Sequence, residues 1–185
     1  MEQRRFVLLD RDGTINVEKH YLNDPDELEL LPGAGEGLRY MMKLGLGLVI
    51  ITNQSAIGRG YFTMERLEEI HDRLRKLLAD EGVVLEGIYI CPHDPTREIC
   101  VCRKPMPGMV EQAVRDFGFD PASAFMIGDK VLDIQLGQAV GATSILVRTG
   151  YGRDSERQGG GVADFIADDL REAARFIETR LQDGS

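Results

Sequence analysis

Short, wholly apolar runs recur along this chain, and each is followed by a segment with helical spacing. The runs are Phe6–Leu9, Leu46–Ile51, Gly87–Cys91, Phe125–Ile127 and Ser144–Val147. Runs this brief, without polar alternation, predict strands buried on both faces. Between them the pattern predicts helices from Pro32 and Gly33 to Lys43, over Thr63–Asp80, over Met109–Phe117 with Gly118 closing it, and near Leu132–Val140. A last helix is expected over Asp169–Leu181. Strand–helix alternation with right-handed crossovers makes an α/β fold: a three-layer, doubly wound parallel sheet. The chain has 185 residues, which suits a single domain spanning 1–185. The run Gly159–Gly161 reads as a flexible surface loop.

Open parallel sheets bind ligands at the carboxyl ends of their strands. The residues found there are Asp10-Arg-Asp-Gly-Thr14, Thr52-Asn-Gln-Ser55, the stretch from Cys91 to Arg103-Lys104, Gly128-Asp-Lys130 with Asp133, and Arg148-Thr149. Arg59, Arg103, Lys104, Lys130 and Arg148 all lie on such loops in a chain of net charge −9. Cations gathered at one edge of an acidic protein point to an anionic ligand with more than one charged group. Arg103 and Lys130 are candidates for holding a second phosphate, because fixed positive charge favours a bisphosphate over a monophosphate.

Asp10 and Asp12 can share a hard dication such as Mg²⁺, with Asp129 as a third ligand. Such an ion offsets repulsion between carboxylates and an incoming phosphate. One carboxylate can then serve as nucleophile and the other as general acid and base. A calcium loop of the EF-hand type is excluded, since Gly13 is fourth and Tyr21 twelfth where Gly belongs sixth and Glu twelfth. His71, on the long helix, reads as a surface residue or a satisfied contact rather than a catalytic group.

All three cysteines fall within a twelve-residue stretch. Cys91-Pro-His93 and Cys100-Val-Cys102, six residues apart, supply three thiolates and an imidazole, a complete tetrahedral set for structural Zn²⁺. The loop 91–102 would then be folded by its metal and would deliver Arg103-Lys104.

These motifs, in order, resemble those of the haloacid dehalogenase superfamily of phosphohydrolases. The resemblance implies a Rossmann-like sheet with Asp10 as nucleophile, Asp12 as general acid/base, Thr52 and Lys104 holding the transferring phosphoryl group, and Asp129 on Mg²⁺. Cys-Pro-His…Cys-x-Cys-Arg-Lys-Pro, here Cys91–Pro105, is similar to the zinc-containing branch that holds heptose bisphosphate and histidinol phosphatases. Further segments, among them Asp10–Val17, Gly58-Arg-Gly60 and Val147–Gly150, resemble the heptose bisphosphate phosphatases. This implies release of the C7 phosphate of a heptose 1,7-bisphosphate during nucleotide-activated heptose synthesis for lipopolysaccharide. It also implies substrate contacts from Glu18, Lys19, His20, Tyr21, Asn53, Gln54 and Ser55. The zinc loop is short and closer in length to that of histidinol phosphatases, so histidinol phosphate is the alternative substrate. No interval between motifs has room for a large cap domain.

The acidic balance argues against nucleic acid as a partner. No apolar run is long enough to span a bilayer, and the first residues lead directly into a strand, so a cytoplasmic protein is expected. No coiled-coil pattern appears, which makes a monomer the expectation. A zinc-ordered binding module without turnover would lack the nucleophile or the Mg²⁺ ligands, and both are present.

Overall fold

Each apolar run of the sequence becomes a strand, buried on both faces except at the edge strand Gly87–Cys91, which is partly exposed. The computed structural model describes residues 3–159 and 162–183. Its strands are β1 (Phe6–Leu9), β2 (Gly47–Asn53), β3 (Gly87–Cys91), β4 (Phe125–Gly128), β5 (Thr143–Val147) and β6 (Phe165–Ala167). They form one sheet in the order β3-β2-β1-β4-β5-β6, with every pairing parallel. The chain starts at the centre and winds first to one edge, then to the other. The order reverses beside β1, so the ends of β1, β2 and β4 border the crevice where such sheets bind ligands.

Successive strand residues serve opposite layers, as the two-residue strand period requires. Val7 and Leu9, Leu48 and Ile50, and Phe125 and Ile127 join one core. That core is covered by α1 (Ala34–Lys43), α2 (Met64–Asp80) and α6 (Leu170–Asp183) through Leu38, Leu74 and Ile177. Phe6, Leu8, Val49, Ile51 and Met126 face the second core, under α3 (Gly108–Phe117) and α4 (Val131–Val140). The helix limits follow local chemistry. Thr63 Oγ1 accepts from Arg66 N at 3.3 Å at the start of α2, and Gly118 closes α3 with φ 65°, a conformation glycine adopts without a Cβ clash.

One α-helix and one strand lie beyond the sequence reading, α5 (Gly152–Arg157) and β6, as do the single 3-10 turns Pro25–Glu27 and Pro121–Ser123. All are short, and none carries a periodic signal long enough to separate it from a loop. The expected loop Gly159–Gly161 falls partly outside the described residues. No large cap is inserted among the described residues. None of their helices is long and apolar enough to cross a membrane.

Candidate active site

Asp10 follows β1 directly, and its N–H donates to Ile127 O of β4 at 2.9 Å, so two central strands fix its place. Lys104, delivered from beyond the cysteine loop, puts Nζ 2.8 Å from Asp10 Oδ1, 2.7 Å from Asp133 Oδ1 and 2.8 Å from Ile51 O. Burial raises the Asp10 pKa, but Lys104 and Lys130 outweigh it and hold the carboxyl well below the usual range. Burial likewise lowers the Lys104 pKa, yet Asp10 and Asp133 keep it above the ordinary lysine value. Asp10 is therefore an ionised carboxylate facing a charged ammonium, the state a phosphorus nucleophile needs.

Asp12 is held differently. Its carboxylate accepts from Arg11 Nε at 3.2 Å and Nη2 at 2.9 and 2.8 Å, from Asn16 Nδ2 at 3.0 Å and from Gln54 Nε2 at 3.0 Å. Arg11 is itself 1% exposed, and its Nη1 lies 3.1 Å from His71 Nε2. Burial and the Arg11 charge bring the His71 pKa down to about 3, so the ring is neutral and accepts the Arg11 N–H. His71 is thus the satisfied contact rather than a surface residue, and it completes the clamp on Asp12. Replacing His71 with Leu leaves a guanidinium N–H buried without an acceptor. We expect a loss of about 1–3 kcal/mol in urea unfolding, with much of it recovered in His71→Gln. Equal losses in both variants would mean that volume rather than the hydrogen bond matters.

Carboxylate oxygens of Asp10, Asp129 and Asp133 lie within 4.8 Å of one another. Those of Asp133 are engaged, by Lys104 Nζ at 2.7 Å and by the main-chain N–H of Lys130 at 3.0 Å. The other two acids converge with a main-chain oxygen on one point. Lys130 Nζ marks it, at 3.4 Å from Asp10 Oδ2, 3.4 Å from Asp12 O and 3.1 Å from Asp129 Oδ1. Asp12, expected to share a dication through its carboxylate, meets this point through its carbonyl instead. The donors are all hard oxygens from three residues, and a cation already occupies the convergence, so the set fits Mg²⁺. Burial, with the Asp10 charge second, pushes the Asp129 carboxyl up to about 8. Gly13 makes the crowding possible: its φ is 80°, and a Cβ there would sit 2.1 Å from Asp129 Oδ2.

Above these groups opens a cleft of about 160 Å³. Its walls include Glu18, His20 and Tyr21 on one side, Thr52, Asn53, Gln54 and Ser55 on another, and Arg103, Lys104 and Lys130. Lys19 is the exception among the expected substrate residues, since it turns away to pair with Glu29 at 3.4 Å. Arg103, a residue of the cleft wall, has its Nη1 buried without a hydrogen-bond partner among the described residues. His20 has φ 56°, rare for a residue with a Cβ, and its Nδ1 is 3.3 Å from the Tyr151 hydroxyl. Tyr21 meets Tyr61 edge-on with centroids 4.7 Å apart.

The sulfurs of Cys91, Cys100 and Cys102 and a ring nitrogen of His93 also lie within 4.8 Å of one another. His93 Nδ1 is 3.2 Å from Cys102 Sγ and 3.5 Å from Cys91 Sγ. The loop is tied to the cleft: Gln54 N donates to Cys91 O at 2.8 Å and Lys104 N to Asn53 Oδ1 at 3.0 Å.

Asp133, Arg11 and His71 were not among the expected site residues. Asp133 was visible four residues after Asp129 in the same motif. The Arg11–His71 contact joins residues sixty positions apart, and no local pattern announces it.

Comparison with known proteins agrees with this geometry. A family model described as "HAD-hyrolase-like" matches residues 101–173. The chain is 39% identical over 183 residues to D-glycero-beta-D-manno-heptose-1,7-bisphosphate 7-phosphatase of Yersinia pestis, covering 95% of this chain and 96% of the relative. The enzyme of the same name from Escherichia coli K12 is 39% identical over 179 residues, 93% of each chain. Among solved structures, D,D-heptose 1,7-bisphosphate phosphatase from B. bronchiseptica, complexed with magnesium and phosphate, superposes with a TM-score of 0.88 at 35% identity. It covers 97% of this chain and 99% of its own.

Proposed function

Since this chain belongs to the heptose-1,7-bisphosphate 7-phosphatase family of the haloacid dehalogenase superfamily, we propose that it removes the C7 phosphate of D-glycero-D-manno-heptose 1,7-bisphosphate. The observation that carries this reading is the setting of Asp10, ionised between Lys104 and Lys130 at the foot of a cleft whose wall holds the unpartnered Nη1 of Arg103. One phosphate then sits over Asp10, and Arg103 on the cleft wall is the residue assigned to a second anionic group.

In the first step an Asp10 oxygen attacks phosphorus and the bond from phosphorus to the sugar oxygen breaks. Its electron pair goes to that oxygen, which takes a proton from the Asp12 carboxylic acid. In the second step the Asp12 carboxylate takes a proton from water. The water oxygen attacks the aspartyl phosphate, giving inorganic phosphate and restoring the Asp10 carboxylate. Every donor on Asp12 in this structure suits the ionised form, so the acid step requires one oxygen to leave the Arg11 fork. Thr52 and Lys104 hold the phosphoryl oxygens. Mg²⁺ would be held by Asp10, Asp129 and the Asp12 carbonyl, and supplies charge neutralisation between carboxylate and phosphate.

Cys91, His93, Cys100 and Cys102 read as a structural Zn²⁺ site, because four protein donors leave no open position for chemistry. The whole of 1–185 reads as one phosphatase domain, with the zinc loop at 91–102. The substrate is a small phosphorylated sugar, and the protein is read as a cytoplasmic monomer without nucleic-acid or membrane partners.

The test is phosphate release with Mg²⁺ from both anomers of heptose 1,7-bisphosphate and from histidinol phosphate, with ³¹P NMR to identify the phosphate lost. Loss of the 7-phosphate with the 1-phosphate retained is the expected result. Preferred turnover of histidinol phosphate would keep the mechanism and overturn the substrate.

A further inference from the structure

The convergence of Asp10, Asp12 and Asp129 is met by a side chain of the protein itself. Lys130 Nζ lies 3.1–3.4 Å from Asp129 Oδ1, Asp10 Oδ2 and the Asp12 carbonyl, and Glu18 Oε2 is a further 3.5 Å contact. An ammonium sits about 3 Å from its acceptors, and Mg²⁺ demands about 2.0–2.1 Å from the same oxygens. The two cations cannot share the point.

We infer that Lys130 is a competing counter-ion of the metal site: it neutralises the acid cluster when the metal is absent, and magnesium binds only by displacing it into the cleft. This rests on the magnesium reading of the same residues given above. The placement of the side chain supports it. Lys130 leads into α4, and its own N–H is held by Asp133 Oδ2 at 3.0 Å, so the backbone stays while the side chain turns. Its side chain is 34% exposed and lines the cleft, whereas Asp10, Asp129 and Asp133 are buried. Glu18 and the Tyr151 ring, whose centroid is 5.4 Å from Nζ, already flank the ammonium on the side of the cleft.

Two consequences follow. Lys130 lowers the affinity for Mg²⁺, because its departure is part of every binding event. Metal binding also delivers a positive charge to the cleft at the moment a phosphorylated ligand needs it. By linkage, an anion that pairs with the displaced lysine tightens metal binding in turn.

The experiment is calorimetric titration of Mg²⁺ into the metal-stripped wild type, Lys130→Met and Lys130→Gln, each with zinc retained and without phosphate. Both variants are expected to bind Mg²⁺ about tenfold or more tightly than the wild type, the size of effect that removal of one nearby positive charge produces. Their magnesium-free forms should melt at lower temperature, with the difference closing as Mg²⁺ is added. Damage to the site weakens metal binding, so a gain in affinity reports the loss of the lysine's opposing charge from the acid cluster. Unchanged or weaker affinity in both variants would overturn the inference. Absence of magnesium binding in the wild type would overturn the magnesium reading itself.

Discussion

Asp10→Asn should abolish steady-state phosphate release, by about 10⁴-fold or more, while the protein stays folded and binds zinc. The amide keeps the shape of the carboxylate but cannot attack phosphorus, and removal of a nucleophile costs this order of magnitude elsewhere. Asp12→Asn should behave differently. With a substrate whose leaving group needs no proton, such as p-nitrophenyl phosphate, the first step survives because only Asp10 is required. The second step fails, because no base activates water. The expected record is a burst of roughly one equivalent of nitrophenolate followed by turnover slowed about 10²–10⁴-fold. A burst from Asp10→Asn, or none from Asp12→Asn together with full turnover, would exclude the assigned roles. Circular dichroism on both variants separates chemistry from folding.

What the sequence made legible follows from how locally each feature is encoded. Phe6–Leu9 and Leu46–Ile51 declared buried strands because an apolar run of that length has no polar face to expose. Their ends then placed Asp10 and Thr52 at one edge, since a parallel sheet aligns all its carboxyl ends. The cysteine loop was equally plain, because its four donors sit within twelve residues. Other features depend on tertiary packing. Which atom Asp12 offers to the metal point is decided by Arg11, whose fork takes the carboxylate and leaves the carbonyl. Arg11 is in turn held by His71 from α2, and a lone His among Glu68, Glu69 and Asp72 looks like part of a solvated face. Lys19 and Glu18 are adjacent in sequence, yet only Glu18 faces the cleft, and nothing in their residue types separates them. β6 has three residues at a sheet edge, too few to show a period.

Removing zinc should cost both stability and activity, for one structural reason. Between β3 and α3 the chain runs from Pro92 to Pro107 without regular structure. Few of its side chains are buried, and Ile99 and Val101 stand in solvent. Cys91, His93, Cys100 and Cys102 gather within it, so on the zinc reading the metal would take the place of a hydrophobic core for this loop. The same loop sets Lys104, whose N–H reaches Asn53 Oδ1 and whose Nζ reaches Asp10. It is also braced by Gly58 N on Pro92 O at 2.8 Å and by Arg59 on Asp94 at 3.4 Å. On the zinc reading, the four-ligand centre adds to these braces against the loop's conformational entropy. Cys102→Ser, or stripping with a strong chelator, should therefore release zinc stoichiometrically and lower the melting temperature by about 10 °C, equivalent to about 4 kcal/mol in a chain of this size. Phosphate release with Mg²⁺ in excess should fall about 100-fold or more, because Lys104 no longer faces Asp10. Protons compete with the metal for thiolates and imidazole, so zinc should be lost more readily as pH falls. Readdition of Zn²⁺ should restore both properties in the stripped wild type but not in Cys102→Ser. Full activity after complete zinc loss would show that the loop holds Lys104 through its protein contacts alone.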